Sequence, residues 1–267
     1  GTVDVTEVCL NCSQREGNVC RKRASAWRAT LKMRREKMWM KTGVLCIHGF
    51  SGGPYEVEPF ARYLQQHTDW EIVTPTLPGH GEKLSMRGHT HKEWLMTAEL
   101  AYRDLAKRVD RIIVVGFSMG GLIALYLAKR YRIEKLVLLS AALKYVSPVQ
   151  LVADLRDLAG HFYRRTLKEN EVFIRYASKL RDVPIRSTFE FMKLVAFVKP
   201  FYRTVTTPTF IVQGALDGIV PKKTAMLLYE TLQCSEKRLY VSEKGKHHIC
   251  YSSDCEVWFH EVYRFLQ

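Results

Sequence analysis

The sequence predicts an α/β fold in which a mostly parallel, doubly wound sheet carries an inserted helical cap. Short continuous apolar runs, such as Ile112–Val115 and Lys135–Ser140, are typical of parallel strands that are buried on both faces. Between these runs, apolar residues recur at helical spacing, and the alternation of strand and helix favours a parallel sheet covered by helices. The alternation stops over residues 146–203, where helical patterns follow one another without a strand, and this predicts the insertion.

Residues 1–41 show neither strand alternation nor a clear helix start, and we expect them to form a disordered or weakly ordered extension. A second hypothesis is that this extension is not native protein. Arg34–Lys37 could be encoded by purine-rich codons that form a ribosome-binding site, in which case Met38 or Met40 would be the true initiator. The nucleotide sequence of the gene distinguishes the two hypotheses.

The sheet core is expected in two parts, residues 42–145 and residues 204–267. Each part contains short apolar runs that end in loops rich in glycine or proline. The expected strands are residues 44–47, 71–75, 112–115, 135–140, 209–213 and 237–241. The expected helices lie around residues 57–64, 94–109, 122–130, 225–232 and 257–266. The last helix is expected to begin at a cap formed by Ser253 or Asp254.

The inserted segment, residues 146–203, is expected to be all-helical, with Phe189, Met192 and Ala196 at helical spacing near its end. It separates two strands at the edge of the sheet where the active sites of α/β proteins lie. The expected role of the segment is therefore a lid over such a site.

The composition argues against several classes of protein. The 267 residues carry a net charge of +14, but the lysines and arginines are mixed with acids, which favours a solvated basic surface over a nucleic-acid partner. No apolar run approaches the roughly 20 residues of a membrane-spanning helix, and no secretory signal is recognisable, so membrane insertion is not expected. The seven cysteines are scattered, with Cys46 inside an expected strand, so we expect reduced thiols and a cytoplasmic location. Cys9, Cys12 and Cys20 offer three thiolates without a fourth ligand nearby, and neither a metal nor an organic cofactor is expected.

The candidate nucleophile is Ser118, which lies in the run Gly116–Gly121 with the sequence Gly-Phe-Ser-Met-Gly-Gly. The run follows one expected strand and precedes an expected helix. Ser118 is therefore expected on a sharp strand-to-helix corner, with its hydroxyl held clear of the backbone. The glycines remove side chains that such a corner could not accommodate. The alternative is a glycine-rich turn whose serine only caps a helix.

A serine hydroxyl needs a histidine to accept its proton and an acid to orient that histidine. Asp217 follows an expected strand and is the candidate acid, the alternative being a turn aspartate. His247 and His248 both follow the last expected strand, so either could be the base, and we favour His247.

The backbone N–H groups of Phe50 and Met119 are candidates to stabilise the negative charge that develops on a carbonyl oxygen when a serine attacks it. The turn His48–Gly49 would bring the Phe50 amide near the serine. We expect the rings of His48 and His80 to form structural hydrogen bonds and to take no part in catalysis.

Together these motifs resemble those of bacterial α/β-hydrolase carboxylesterases and monoacylglycerol lipases with a small helical cap. The resemblance runs from about Val44 to the C-terminus. It rests on His48–Gly52, Pro78–Gly81, Gly116–Gly121, Pro208–Gln213 with Asp217, and His247–Ile249. It implies the α/β-hydrolase fold, with the site residues Ser118 as nucleophile, Asp217 as acid, His247 as base, and the Phe50 and Met119 amides as oxyanion donors. The family usually carries Ser-Gly before this histidine, whereas Gly245-Lys246 stands there in this chain, and residues 1–41 have no counterpart.

The motifs and the resemblance favour a serine hydrolase that cleaves short- to medium-chain acyl esters or monoacylglycerols through an acyl-enzyme intermediate. The phenylalanine- and leucine-rich cap indicates an apolar acyl pocket, and the expected partner is a small-molecule ester. The same three residues also serve thioesterases, acyltransferases and C–C bond hydrolases. A non-catalytic lipid-binding module is a further alternative. A dehalogenase is disfavoured, because its chemistry would need an aspartate at position 118.

Overall fold

The computed structural model describes residues 40–143 and 183–267, which contain six strands and six α-helices. The strands are β1 (Thr42–Ile47), β2 (Glu71–Val73), β3 (Arg111–Phe117), β4 (Lys135–Leu139), β5 (Thr209–Gly214) and β6 (Lys237–Ser242). The helices are α1 (Glu58–His67), α2 (His91–Leu105), α3 (Met119–Arg130), α4 (Ile185–Val198), α5 (Lys222–Thr231) and α6 (Cys255–Leu266). Short 3₁₀ turns lie at Pro54–Glu56, Lys199–Thr204 and Ile249–Tyr251.

The strands form one sheet in the order β2-β1-β3-β4-β5-β6, and every neighbouring pair is parallel. From β1 the chain moves outwards to β2, and from β3 it moves in the opposite direction towards β6. The direction reverses between β1 and β3. In α/β proteins, ligands bind in the crevice at the carboxyl ends of strands where such a reversal occurs. The loops after β1 and β3 therefore border the expected site.

The strands direct alternate side chains into two apolar cores, one on each face of the sheet. On one face, residues such as Val44 and Val115 pack with α1 and α6. On the other face, residues such as Leu45 and Val114 pack with α2, α3, α4 and α5. Both cores are buried, so the continuous apolar runs of the sequence correspond to strands that are covered on two sides.

The predicted α/β fold with a mostly parallel sheet is confirmed, and all six predicted strands are present. The predicted limits of the helices differ by a few residues; α2, for example, ends at Leu105 and does not reach Val109. Asp254 lies at the N-cap position of α6, but its carboxylate does not cap the helix. It accepts the hydroxyl hydrogen of Ser242, with oxygen-to-oxygen distances of 2.7 and 2.8 Å, because the side chain turns towards the end of β6.

The predicted extension and most of the predicted cap fall outside the described residues. Residues 1–39, with Cys9, Cys12 and Cys20, and residues 144–182 are not described. Within the predicted insertion of residues 146–203, the structure describes residues 183–203, and these are helical from Ile185 onwards, in α4 and the 3₁₀ turn that follows it. The division into extension, core and cap stays a prediction. Of the helices in residues 40–143 and 183–267, none has the length and apolar character needed to cross a membrane.

An aromatic cluster joins α6 to α1 on one face of the sheet. Trp258 is fully buried, and its ring centroid lies 5.3 Å from that of Phe60 and 4.4 Å from that of Phe259. Because the rings fill the space between the two helices, their removal would leave a cavity in a closely packed core.

We expect Trp258→Ala to lower the free energy of unfolding by about 3–5 kcal/mol, because the surrounding side chains cannot fill the cavity. Val257→Ala changes the neighbouring position, whose side chain is exposed, and is the matched control. It should change the free energy of unfolding by less than about 0.5 kcal/mol. Urea unfolding followed by circular dichroism measures both values, and equal effects of the two substitutions would contradict the packing described for α6.

Candidate active site

Ser118 is the single residue between β3 and α3, and the sharp corner that it forms requires a strained backbone. Its φ and ψ are 52° and −114°, a combination that is rare for a residue with a side chain. Two glycines make the corner possible, because neighbouring backbone atoms lie too close to their Cα atoms to leave space for a side chain. A Cβ atom at Gly116 would overlap the carbonyl oxygen of Gly120, and one at Gly120 would overlap the carbonyl oxygen of Ile47 at the end of β1. The predicted strand-to-helix corner is therefore present.

Backbone hydrogen bonds hold this corner against the neighbouring strand. The Ser118 N–H donates to the carbonyl of Leu139 at 2.9 Å, and the Ser118 carbonyl accepts from Gly121 at 3.0 Å and from Ala142 at 3.2 Å. Positive φ angles at non-glycine residues occur in the described part of the chain at three serines, each of which follows a strand end: Ser51, Ser118 and Ser140. Strain is thus concentrated at the carboxyl edge of the sheet, as is common at functional sites.

The structure brings Ser118, His247 and Asp217 into one hydrogen-bonded row. Nε2 of His247 lies 3.1 Å from Oγ of Ser118, and Nδ1 of His247 lies 2.9 Å from Oδ2 of Asp217. A carboxylate only accepts, so Nδ1 carries a proton, and in the neutral imidazole the lone pair of Nε2 then faces the serine hydroxyl. All three side chains are largely buried, although they lie far apart in the sequence. Their catalytic roles stay a prediction.

Asp217 is held by donors on several sides. Its Oδ1 accepts the backbone N–H groups of Ile219 at 2.9 Å and Val220 at 2.8 Å, and its Oδ2 accepts an amide hydrogen of Gln213 at 3.0 Å. Burial alone would raise the pKa of this carboxyl. The His247 ring and the two backbone donors outweigh burial and hold the pKa of Asp217 below its usual value. The carboxylate therefore stays ionised while it orients the imidazole.

The two candidate oxyanion donors lie after adjacent strands. Met119 begins α3, and the first N–H groups of a helix have no partner within it. Phe50 follows β1, in a loop fixed by His48: Nδ1 of His48 donates to the Gly49 carbonyl at 2.8 Å, and its Nε2 accepts the Leu77 N–H at 3.0 Å. Burial lowers the pKa of His48, so this ring stays neutral and serves the structural role expected from the sequence.

The other two candidate histidines contact different partners. His248 does not bond Ser118; its Nε2 lies 3.1 Å from Oε1 of the buried Glu56. His80 donates from Nδ1 to the Pro78 carbonyl at 2.9 Å. Burial, followed by the nearby His48 ring, lowers the pKa of His80 to about 3. Of the two adjacent histidines, His247 is therefore the one placed to act on the serine.

Helix α4 packs a buried aromatic side chain against the oxyanion loop. The ring of Phe191 stacks on that of Phe50, with the centroids 5.2 Å apart, and the ring of Trp94 lies 6.0 Å from Phe50 on another side. Phe191 and Trp94 are at most 2% exposed, so these rings support the oxyanion loop from the interior of the protein.

The buried carboxylate of Glu190 connects α4 to α2. Oε2 of Glu190 lies 2.7 Å from Nδ1 of His91, and its Oε1 accepts from Nζ of Lys193 at 2.6 Å. Burial alone would raise the pKa of Glu190, but these hydrogen bonds outweigh it and lower the pKa to about 2. The contact joins residues 99 positions apart, and it fixes the helix that carries Phe191.

Three residues of the site were missed from the sequence: Glu56, Gln213 and Glu190. Glu56 and Glu190 meet partners that are distant in sequence, and no local pattern reports such contacts. Gln213 is the last residue but one of β5 and lies four residues before Asp217, and a polar residue near the end of a buried strand was the one available signal for it. In residues 40–143 and 183–267, no group of three His, Cys, Asp or Glu residues is arranged to hold a metal ion. The four cysteines in those ranges are free thiols.

A serine at a strand-to-helix corner of a parallel sheet, with an acid and a histidine supplied by the loops after later strands, defines an α/β-hydrolase. The chain belongs to the family described as serine aminopeptidase, S33, whose model matches residues 40–254. The resemblance to esterases and lipases of this fold is confirmed, and the chain is a hydrolytic enzyme.

Several proteins similar to this chain are named as esterases or lipases. The carboxylesterase of Bacillus subtilis (strain 168) is 24% identical over 226 residues, covering 84% of this chain and 92% of that protein. The thermostable monoacylglycerol lipase of Bacillus sp. (strain H-257) is 27% identical over 216 residues, covering 78% of this chain and 82% of that protein. A solved structure of a metagenome-derived lipolytic enzyme has a TM-score of 0.69 at 23% identity, covers 85% of this chain and 93% of that one, and shares its fold.

We expect Gly120→Ala to lower the free energy of unfolding by about 1–3 kcal/mol, because the new methyl group meets the backbone of β1 and has no space to move into. We expect this loss of stability even though alanine has a higher helix propensity than glycine. Gly218→Ala is the matched control, since a Cβ atom there meets no other atom within 4 Å, and it should cost less than about 0.5 kcal/mol. Urea unfolding compares them; a Gly120→Ala protein as stable as wild type would contradict the close approach.

The Glu190 contact predicts a pH dependence of stability. A carboxyl whose pKa falls on folding stabilises the protein above its unfolded pKa, and this contribution is lost as the pH falls through the folded value. We expect Glu190→Gln to lower Tm near neutral pH, and the Tm difference from wild type to shrink as the pH falls from about 4.5 towards 2. Glu230→Gln, on the exposed side of α5, is the control and should leave Tm unchanged. A Tm difference for Glu190→Gln that stays constant with pH would contradict the role given to the ionised carboxylate.

Proposed function

We propose that the chain is a serine hydrolase that cleaves carboxylic esters through an acyl-enzyme intermediate, with Ser118 as nucleophile, His247 as base and Asp217 as acid. The observation that supports this proposal is the continuous row of hydrogen bonds from the serine hydroxyl to the carboxylate, at 3.1 and 2.9 Å. A serine hydroxyl is a weak nucleophile at neutral pH, and this arrangement supplies the base that activates it.

In the first step, Oγ of Ser118 attacks the ester carbonyl carbon while Nε2 of His247 accepts the hydroxyl proton. The imidazolium that forms is stabilised by the ionised Asp217, whose two carboxylate oxygens already accept four hydrogen bonds from His247 and its own loop and strand. When the carbon–oxygen bond of the ester breaks, Nε2 returns the proton to the departing alcohol. The acyl group remains bound to Ser118.

In the second step, a water molecule takes the place of the alcohol. His247 accepts a proton from this water as its oxygen attacks the acyl carbon, and the imidazolium then protonates Oγ of Ser118 as the acid is released. Both steps place negative charge on the former carbonyl oxygen. The backbone N–H groups of Phe50 and Met119 are proposed as the donors to that oxygen, and one such donor contributes about 10²–10³-fold to kcat.

The proposed substrates are short- to medium-chain acyl esters or monoacylglycerols. The aromatic rings packed around Phe50 make the surroundings of the oxyanion loop apolar, which favours an acyl chain over a charged substrate. The family description names a peptidase, but both relatives described above are named for ester hydrolysis. The predicted insertion, residues 146–203, is proposed to act as a lid over the site.

We expect Ser118→Ala to lower kcat/KM for p-nitrophenyl butyrate by at least about 10³-fold, because removal of the nucleophile removes the acyl-enzyme route. His247→Ala should lower kcat by a similar factor, and fluorophosphonate labelling should be lost in both variants. Ser253→Ala and His260→Ala, which change exposed residues near the C-terminus, are the matched controls and should retain activity. A Ser118→Ala protein with wild-type activity would overturn the proposal.

A substrate panel separates the ester reaction from others that use the same three residues. The wild-type protein is assayed on p-nitrophenyl butyrate, 1-monobutyrin, butyryl-CoA and alanine p-nitroanilide. We expect the highest kcat/KM on an oxygen ester. A kcat/KM at least about tenfold higher on the thioester or on the anilide would replace the ester proposal with a thioesterase or a peptidase.

A further inference from the structure

The Glu56 carboxylate lies buried beneath the oxyanion loop and is absent from the catalytic row. Its Oε2 accepts the Gly49 N–H at 2.8 Å, and only 1% of the residue surface is exposed. The loop is built around this group, because a Cβ atom at Gly52 would overlap the carboxylate and one at Gly49 would lie 3.1 Å from Oε2. A buried carboxylate is costly unless it is well paired, so its position here calls for a physical reason.

Gly49 is held on both of its backbone groups. Its N–H donates to Glu56, and its carbonyl accepts from Nδ1 of His48 at 2.8 Å. In a trans peptide the carbonyl of one residue and the N–H of the next point in opposite directions. The His48 bond to the Gly49 carbonyl therefore sets the direction of the Phe50 N–H, which is a proposed oxyanion donor. The Glu56 bond fixes the preceding peptide plane, so both planes that meet at Gly49 are held.

The other oxygen of Glu56 reaches the loop that carries the base. Oε1 lies 3.1 Å from Nε2 of His248, and the two residues are 192 positions apart in the sequence. His248 directly follows His247, and the rings of both histidines lie against Phe117, with centroids 5.6 and 5.1 Å away. One carboxylate thus joins the oxyanion loop to the loop of the catalytic base.

We infer that Glu56 and His248 form a positioning pair that aligns the Phe50 N–H with His247 and Ser118 for ester hydrolysis. The inference rests on the proposed function, since it assigns a role within that reaction. An unpaired carboxylate at this place would repel the oxyanion, and hydrogen bonds from His248 and Gly49 disperse its charge. Neither member of the pair touches the substrate, so neither is a catalytic residue.

The experiment separates alignment from stability by replacing the pair in three ways. His248→Leu removes one partner and leaves the buried carboxylate with the Gly49 N–H but without His248. The double variant Glu56→Leu/His248→Leu replaces the pair by apolar side chains, which costs less stability than leaving one charged partner alone, although the Gly49 N–H loses its acceptor. Glu56→Asp keeps the charge but shortens the side chain by one carbon–carbon bond, about 1.5 Å, so that it cannot reach both loops. His248→Gln restores an N–H donor near the position of Nε2 and tests for rescue.

For each folded variant, kcat and KM on p-nitrophenyl butyrate, Tm, and the inhibition constant of a trifluoromethyl ketone are measured. This ketone adds to the serine and carries an oxyanion, so its affinity reports the oxyanion site. We expect the double variant to stay folded, although its Gly49 N–H loses an acceptor, while kcat falls about 10–100-fold and KM changes less than about threefold. The ketone should bind more weakly by a similar factor. Glu56→Asp should lose about tenfold in kcat, and His248→Gln should recover most of the activity that His248→Leu loses.

A folded double variant or a folded Glu56→Asp protein with wild-type kcat would overturn the inference, as would a loss carried by KM alone. Wild-type hydrolysis and fluorophosphonate labelling are measured first. If the wild-type protein is neither active nor labelled, the proposed function fails and this inference fails with it. If it is active and labelled, and the variants retain kcat, only the positioning role is wrong.

Discussion

The close approach of backbone at Gly116 and Gly120 is the constraint from which the site follows. Because the helix start at Gly120 lies against the end of β1, the chain must turn from β3 into α3 at a single residue, and that residue takes the φ of 52°. The same contact brings the loop after β1 beside the serine. The proposed nucleophile and both proposed oxyanion donors therefore depend on two positions where no side chain is tolerated.

The polar part of the site is held together by buried carboxylates that have hydrogen-bond donors on more than one side. Asp217 receives hydrogen bonds from the histidine, from its own loop and from the end of its strand, and these bonds keep it charged in spite of burial. The fixed carboxylate determines the tautomer of His247, and the tautomer directs a lone pair at the serine. Glu56 and Glu190 follow the same rule elsewhere: each is a buried carboxylate that joins two distant segments.

The sequence predicted the fold and the central residues because their signals are local. An apolar strand, a glycine pair at fixed spacing and a following helix lie within some twenty residues around Ser118, and Asp217 directly follows a buried strand. The adjacent His247 and His248 have no such local difference; their partners, Ser118 and Glu56, distinguish them only after folding. Glu56 and Glu190 were not predicted for the same reason, because the pattern of residues along the sequence does not show which polar side chains are buried.

The parallel sheet has a consequence for folding of the chain during its synthesis on the ribosome. Parallel neighbours cannot be joined by a tight hairpin, so each pairing in this sheet requires a crossover of many residues. The serine and the histidine are separated by 129 positions, and β4, β5 and β6 lie between them in the chain. During synthesis, the chain can form the corner that carries Ser118 early. The proposed nucleophile has no base, however, until β6 and the loop with His247 have emerged from the ribosome and folded.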